Sequence, residues 1–163
     1  MAFDYVDILL LLFVAEIEVK SHRTETLYKL TDLLKTNQVL YLSPDSRELI
    51  SPIYSNVCIM FGRLSKYEDI LEINKAGIDF CLKYSFSKSL TRLYYTRSIA
   101  LKKLNRSEES EEFAAKCLFN SLSLNNIDDY HQFSQCIMKD FNKSSVIIIN
   151  QYISKMNDIL SKQ

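Results

Sequence analysis

Glycine and proline are almost absent from this sequence, with two residues of each in a chain of 163. Tight β-hairpins and phosphate-binding loops both consume glycine, because their backbones adopt conformations that other residues resist. The scarcity of glycine therefore disfavours β-sandwiches and nucleotide-binding folds. We expect helices joined by short polar turns.

The chain also lacks an excess of charge of either sign. Twenty Lys and Arg residues balance 20 Asp and Glu residues, so no general basic field draws the chain to nucleic acid or to a membrane surface. The basic residues Lys102, Lys103 and Arg106 are followed at once by the acidic segment 108–112. This order indicates a solvated face of mixed charge and not a phosphate site.

Residues suited to metal, redox or nucleophilic chemistry are few. Two histidines are present, no G-x-S-x-G occurs, and no cysteine belongs to a C-x-x-C pair. Asp128 and His131 would share a helix face, but no second ligand supports them, and Asp128 suits the first turn of a helix. We therefore expect no enzyme, with no catalytic residue, metal or cofactor. Buried, reduced thiols are expected for the cysteines, which are Cys58, Cys81, Cys117 and Cys136.

One long apolar run is present, ILLLLFVA at residues 8–15. Asp7 and Glu16 bracket it, so it falls well short of the ~20 residues that a membrane span requires. Asp4 stands where a signal peptide would carry positive charge. The run predicts a buried helix, no membrane association and a cytoplasmic location.

Apolar residues recur at helical spacing along most of the chain. Ser43-Pro44 and Ser51-Pro52 each look like a helix start, with serine as the N-cap and proline at the first helical position. The second of these starts is expected to open a helix that runs to about Leu64. The other helices are expected at 3–20, 24–36, 66–84, 88–104, 106–124, 127–141 and 145–161.

These helices are expected to group into one domain over residues 1–163. Two segments, 59–70 and 99–110, match in kind at an offset of 40, and each contains a residue pattern typical of a capping box at its turn. Gly62, just before the first turn, is expected to let two helices approach closely. The matched residues are Leu64 with Leu104, Ser65 with Asn105 and Glu68 with Glu108.

A helix–turn–helix unit repeated at a fixed period is typical of an α-solenoid. The sequence therefore predicts an all-α fold, a tetratricopeptide-like right-handed solenoid of helix pairs capped by two C-terminal helices. The expected pairs span about 3–36, 46–84 and 88–124, and the capping helices are 127–141 and 145–161.

Residues 50–110 resemble the tetratricopeptide-like part of bacterial transcription regulators of the Rgg/PlcR type, in the XRE family. Thr96 departs from the family pattern, which has asparagine there, and Ser107 replaces a turn tyrosine. No helix-turn-helix DNA-binding segment precedes the repeats in this sequence. The residues that carry the resemblance are Asn56, Gly62, Leu64, Tyr67, Glu68, Ile73, Gly77, Ile78 and Cys81, followed by Tyr95, Ala100, Leu104 and Glu108.

The resemblance implies a function as well as a fold. In that family the repeat domain dimerises, and in several members it binds a short signalling peptide in its concave groove. It implies here a non-enzymatic, peptide-sensing homodimer in quorum sensing, with DNA contacted only through a helix-turn-helix part absent from this chain. The alternative is a stand-alone scaffold for protein–protein interaction.

The groove of such a solenoid is lined by the first helix of each pair. An asparagine side chain offers a peptide backbone both a donor and an acceptor, while an arginine or a lysine is suited to hold a carboxylate. The alternative is that these are ordinary solvated residues or are paired with neighbouring acids. The expected peptide- or partner-binding residues are Ser55, Asn56, Ile59, Arg63, Tyr95, Thr96, Ile99 and Lys103.

The last expected helix contains four consecutive aliphatic residues, at 146–149. Successive residues of a helix point about 100° apart, so the four cannot all face one core. At least one is expected on a second apolar surface, which either caps the solenoid or forms the seam of a homodimer.

Overall fold

Eight α-helices make up the fold in a computed structural model, which describes residues 4–36 and 43–162. These ranges contain no β-strand, so the prediction of an all-α fold is confirmed. Residue 3, where the first helix was expected to begin, lies outside the described ranges. The helices are α1 (Tyr5–Lys20), α2 (Glu25–Lys35), α3 (Pro44–Arg63), α4 (Tyr67–Tyr84), α5 (Ser87–Lys103), α6 (Ser107–Ser123), α7 (Ile127–Phe141) and α8 (Ser145–Leu160).

Helix α3 begins at the first of the two Ser-Pro signals and runs through the second. Ser43 is the N-cap, and its side chain accepts a hydrogen bond from the Ser46 amide. Pro52 lies inside the helix and has no N–H to donate to the carbonyl four residues earlier. That carbonyl belongs to Glu48, and it accepts a bond of 2.9 Å from the Ser51 hydroxyl. The expected helix start at Ser51-Pro52 is therefore wrong.

The turns at residues 22, 65, 85, 105 and 125 share one backbone geometry. At Ser65 the backbone is left-handed, the Ser65 amide donates to Gly62 O, and the Lys66 amide donates to Phe61 O at 3.0 Å. This pair of bonds is a Schellman motif, which ends a helix. The left-handed residues are His22, Ser65, Ser85, Asn105, Asn125 and Asn142.

The two predicted capping boxes are consequently wrong. Lys66 and Arg106 are the N-caps of α4 and α6, and neither makes a side-chain cap hydrogen bond. Ser65 and Asn105 each lie one position too early for that role, because they close the preceding helix with the left-handed turn.

Four of these turns recur at a constant interval. Left-handed residues occur at 65, 85, 105 and 125, which are 20 residues apart. Helices α4 to α7 begin at 67, 87, 107 and 127. The sequence offset of 40 therefore corresponds to two successive helix–turn units of 20 residues each.

Helices pack against their neighbours along the chain and against more distant ones. Every pair of consecutive helices is in contact. Contacts also join α1 to α3, α2 to α4, α3 to α5 and α6 to α8. The buried side chains form one cluster from α1 to α5 and a second from α6 to α8.

The cysteines lie mostly within these clusters. Cys58, Cys81 and Cys117 are buried, and Cys136 is half-buried. Burial raises the pKa of the Cys58 thiol to about 12 and that of the Cys81 thiol to about 12. At neutral pH these thiols are therefore protonated and unreactive.

Helix α1 exposes much of its apolar surface. Its buried residues are Ile8, Ala15 and Val19, whereas Phe13 is 64% exposed. The expectation that the run at 8–15 is a buried helix is wrong, because α1 begins the described fold and packs on one side only, against α2 and α3. Within residues 4–36 and 43–162, no helix is long and apolar enough to cross a membrane. The other exposed apolar residues of α1 are Val6, Leu9, Leu10, Val14 and Ile17.

Gly77 of α4 lies where α3 and α4 approach each other closely. A Cβ atom there would lie 2.8 Å from Tyr54 Cβ and 2.9 Å from Tyr54 Cγ. A Cβ atom on Gly62 would meet Ile70 Cδ1 at 3.7 Å, an ordinary van der Waals contact. The expectation that Gly62 permits close approach is therefore wrong, and Gly77 has that role.

We predict that Gly77→Ala lowers the free energy of unfolding by about 1–3 kcal/mol, because overpacking displaces the Tyr54 side chain. Gly62→Ala is the matched control, and it should raise stability by up to about 1 kcal/mol because alanine favours the helix. Urea denaturation of both variants measures the difference. Equal effects of the two substitutions would contradict this account.

We predict that Ser65→Gly raises the free energy of unfolding by about 1 kcal/mol, because glycine adopts the left-handed backbone without steric cost. Ser65→Ala should be nearly neutral, since both residues carry a Cβ. If Ser65 were an N-cap, the alanine variant would instead lose about 1 kcal/mol. Thermal and urea unfolding distinguish these outcomes.

Candidate functional site

A first cleft lies between α1 and α3, and we call it the α1–α3 cleft. It brings together three of the eight expected binding residues, Asn56, Ile59 and Arg63. Their spacing of three and four residues places them on one face of α3. The other lining residues are Leu12, Glu16 and Met60.

The polar groups of the α1–α3 cleft differ in whether they have a partner within the protein. The Asn56 side chain is half-buried and makes no hydrogen bond with any described residue. Arg63 Nη1 lies 3.7 Å from Glu16 Oε1, and both side chains are about half exposed. Such an exposed pair contributes little stability. For Arg63, this ion pair agrees with the alternative interpretation of the sequence, in which the expected binding residues are paired with neighbouring acids.

Ser55 lies on a different face of α3, in a second cleft that we call the α3–α5–α7 cleft. Its side chain is buried, and its Oγ has no hydrogen-bond partner in the parts of the chain that the structure describes. The sequence interpretation missed the charged residues here, because it treated the helix at 127–141 only as a cap. The other lining residues are Pro52, Lys88, Ser89, Thr91, Arg92, Asp129, Gln132 and Phe133.

Tyr95 connects α5 to α7. Its hydroxyl donates to Asp140 Oδ2 at 2.7 Å, and its ring centroid lies 5.1 Å from that of Phe133. Burial raises the pKa of the Tyr95 phenol, and the neighbouring Asp140 carboxylate raises it further. The phenol is therefore held protonated between two helices and does not line either cleft.

Thr96 faces α4. Its Oγ1 accepts a bond of 3.0 Å from Asn74 Nδ2 and donates to Leu93 O at 3.0 Å. Asn74 is fully buried, so this hydroxyl serves the packing of α4 against α5. Ile99 is half-buried and Lys103 is exposed, and neither lines the two clefts.

The first turn of α7 is organised by hydrogen bonds. Asn126 is the N-cap, with Oδ1 accepting from the Asp129 amide at 3.1 Å. Asp128 and His131 are exposed. Among residues 4–36 and 43–162, no group of three or more His, Cys, Asp or Glu side chains is placed to hold a metal ion.

The acidic segment after Arg106 forms a face of mixed charge on α6. Lys155 of α8 lies 2.9 Å from Glu108 Oε1 and 3.2 Å from Glu112 Oε2. Lys143, just before α8, lies 2.6 Å from Glu111 Oε1. These ion pairs agree with the mixed-charge face expected from the sequence, and they join α8 to α6.

Comparison with known proteins shows no relative for this chain: no family model matches it, and neither a curated protein nor a solved structure aligns with it significantly.

Proposed function

We propose that this chain is the peptide-sensing, dimerising module of a bacterial transcription regulator of the Rgg/PlcR type, and that it is not an enzyme. The α1–α3 cleft is the single observation that carries the proposal most directly. It combines an unpaired amide on Asn56 with exposed apolar surface on Ile59.

The chemistry of this cleft fits an extended peptide. Each peptide residue carries an N–H donor and a C=O acceptor, and the Asn56 amide supplies one partner for each. Ile59, Met60 and Leu12 offer apolar contacts for a peptide side chain. The Arg63–Glu16 pair is solvent-exposed, so either group can exchange its partner for a charged group of the peptide.

The repeated turns support a tetratricopeptide-like, right-handed solenoid as the frame for this site. Helices α4 to α7 recur every 20 residues, and α1 contacts α3 while α3 contacts α5. These features fit the stacked arrangement on which such a groove depends. A peptide bound between α1 and α3 would favour one angle between these helices. The change in angle would then shift the geometry of a dimer.

The exposed apolar surface of α1 favours a second candidate, a stand-alone scaffold that binds another protein. Six large apolar side chains of α1 are more than one third exposed, with Phe13 at 64%. Surfaces of this kind occur where proteins bind other proteins. Retention of a larger partner without any peptide requirement would favour this candidate.

We predict that Asn56→Ala weakens peptide binding about tenfold, because the peptide loses two backbone hydrogen bonds. Short peptides selected from a random display library on the immobilised wild-type protein would serve as probes for calorimetric titration. Asn157→Ala, at an exposed position on α8, is the matched control and should leave affinity unchanged. Equal affinity of Asn56→Ala and wild type would overturn the proposed site.

The dimer is proposed to form through α8. Ile148 is buried and Tyr152 packs against Phe119, with ring centroids 5.7 Å apart, so one face of α8 contacts α6. On another face, Val146 and Leu160 are 60% and 62% exposed. With Ile153, Met156 and Ile149, which is half-buried against the α6–α8 cluster, they recur at alternating intervals of three and four residues, the spacing of a two-helix seam. A second copy of the chain presents the same seam and can bury it symmetrically.

We predict that the wild-type protein sediments as a dimer at tens of micromolar and that Ile153→Asp sediments as a monomer, since burying a carboxylate in the seam is unfavourable. Leu10→Asp places the same charge on the exposed face of α1 and should leave the dimer intact. A monomeric wild type, or dissociation by Leu10→Asp and not by Ile153→Asp, would contradict the α8 seam.

A further inference from the structure

The α3–α5–α7 cleft contains two basic side chains without a partner. Lys88 and Arg92 are four residues apart on α5, so they lie on one face of that helix. Neither makes a hydrogen bond or an ion pair with any described residue. Both groups are therefore free to bind an anion.

Ser55 supplies a second, independent indication of a ligand. The residue is 1% exposed, and its Oγ has no partner among the described residues. The other hydroxyls of the cleft are satisfied: Ser89 Oγ lies 2.7 Å from Ser51 Oγ, and Thr91 Oγ1 accepts from Asn120 at 2.7 Å. Because buried hydroxyls in proteins are nearly always hydrogen-bonded, the unpaired Ser55 hydroxyl calls for a partner.

The charge balance of the cleft suits a singly charged anion. Asp129 is the one carboxylate among the residues that line it, and one of its oxygens accepts from Asn126 Nδ2 at 2.7 Å. Against the two cations, this leaves one net positive charge. A carboxylate would neutralise that charge, and it accepts hydrogen bonds from a guanidinium in bidentate fashion.

We propose that the α3–α5–α7 cleft binds a carboxylate group, held by the Arg92 guanidinium, the Lys88 ammonium and the Ser55 hydroxyl. Resting on the proposed function, the carboxylate belongs to the bound peptide and is either its C-terminus or an acidic side chain. The cleft then anchors the peptide at one end, while the α1–α3 cleft recognises its backbone.

The first experiment needs no peptide. Propionate is titrated into isotope-labelled protein at constant ionic strength, and the Arg92 Nε–Hε resonance and the α5 amide resonances are followed by NMR. Propionamide, which has the same shape without the charge, is the matched probe. We expect saturable shifts with propionate and none with propionamide. Equal responses to the two compounds, or no response to either, would overturn the proposal.

Variants assign the binding groups. Arg92→Gln should weaken propionate binding at least tenfold, whereas Lys75→Gln removes an exposed charge on α4, outside the cleft, and should leave it unchanged. Asp129→Asn should bind propionate severalfold more tightly, because it removes the opposing charge. Unchanged binding in Arg92→Gln, or weaker binding in Asp129→Asn, would contradict the proposal.

Ser55→Ala tests the hydroxyl separately. It should weaken propionate binding without lowering the thermal midpoint, because the hydroxyl makes no bond in the unliganded protein. A lower thermal midpoint with unchanged propionate affinity would show that Ser55 has only a structural role.

Peptide probes then distinguish the two sources of the carboxylate. An acetylated hexa-alanine with a free C-terminus is compared with its amide, and an internal Glu is compared with Gln in an amidated peptide. Tighter binding of the free acid assigns the C-terminus, and tighter binding of the Glu peptide assigns the side chain. No difference within either pair would refute a peptide carboxylate. The effect of Asn56→Ala on peptide affinity does not depend on the carboxylate. Failure of the carboxylate site is therefore distinguishable from failure of the proposed function.

Discussion

The contact between Tyr54 and Gly77 fixes the position of α3, and both clefts depend on that helix. Tyr54 lies against Gly77 so closely that no Cβ atom fits between them. Its hydroxyl donates to Leu34 O of α2 at 2.9 Å, and its ring centroid lies 5.3 Å from that of Phe80 in α4. One buried side chain thus ties three helices together. A shift of α3 at this point would move Asn56 and Ser55, which line different clefts, at the same time.

The turns impose a second regularity on the molecule. Because a left-handed residue recurs every 20 positions from 65 to 125, each of the helices α4 to α7 begins two residues after one of them. Each of these turns donates hydrogen bonds to carbonyls at the end of the preceding helix in the same way. The α3–α5–α7 cleft is lined by residues of three helices that are distant in sequence, and not by any single motif.

Function in this fold is best sought among the polar groups that packing leaves without a partner. Asn74 Nδ2 and Thr91 Oγ1 show the opposite case, since both atoms are used in bonds between helices. The amide of Asn56, the hydroxyl of Ser55 and the cation of Arg92 are not used in this way. All three lie in clefts.

The sequence by itself determined the helices, because apolar spacing and helix-ending residues act over a few positions along the chain. It also revealed the 40-residue offset between Leu64 and Leu104. It did not determine the role of Ser65, because the same residues are compatible with a helix start and with a helix end. The left-handed φ angle of Ser65 decides between them. It placed Thr96 in the groove, although Asn74 of α4 holds it elsewhere. No sequence pattern around Arg92 predicted that it lines a cleft. Only tertiary structure decided these points, because which face of a helix meets solvent depends on helices distant in sequence.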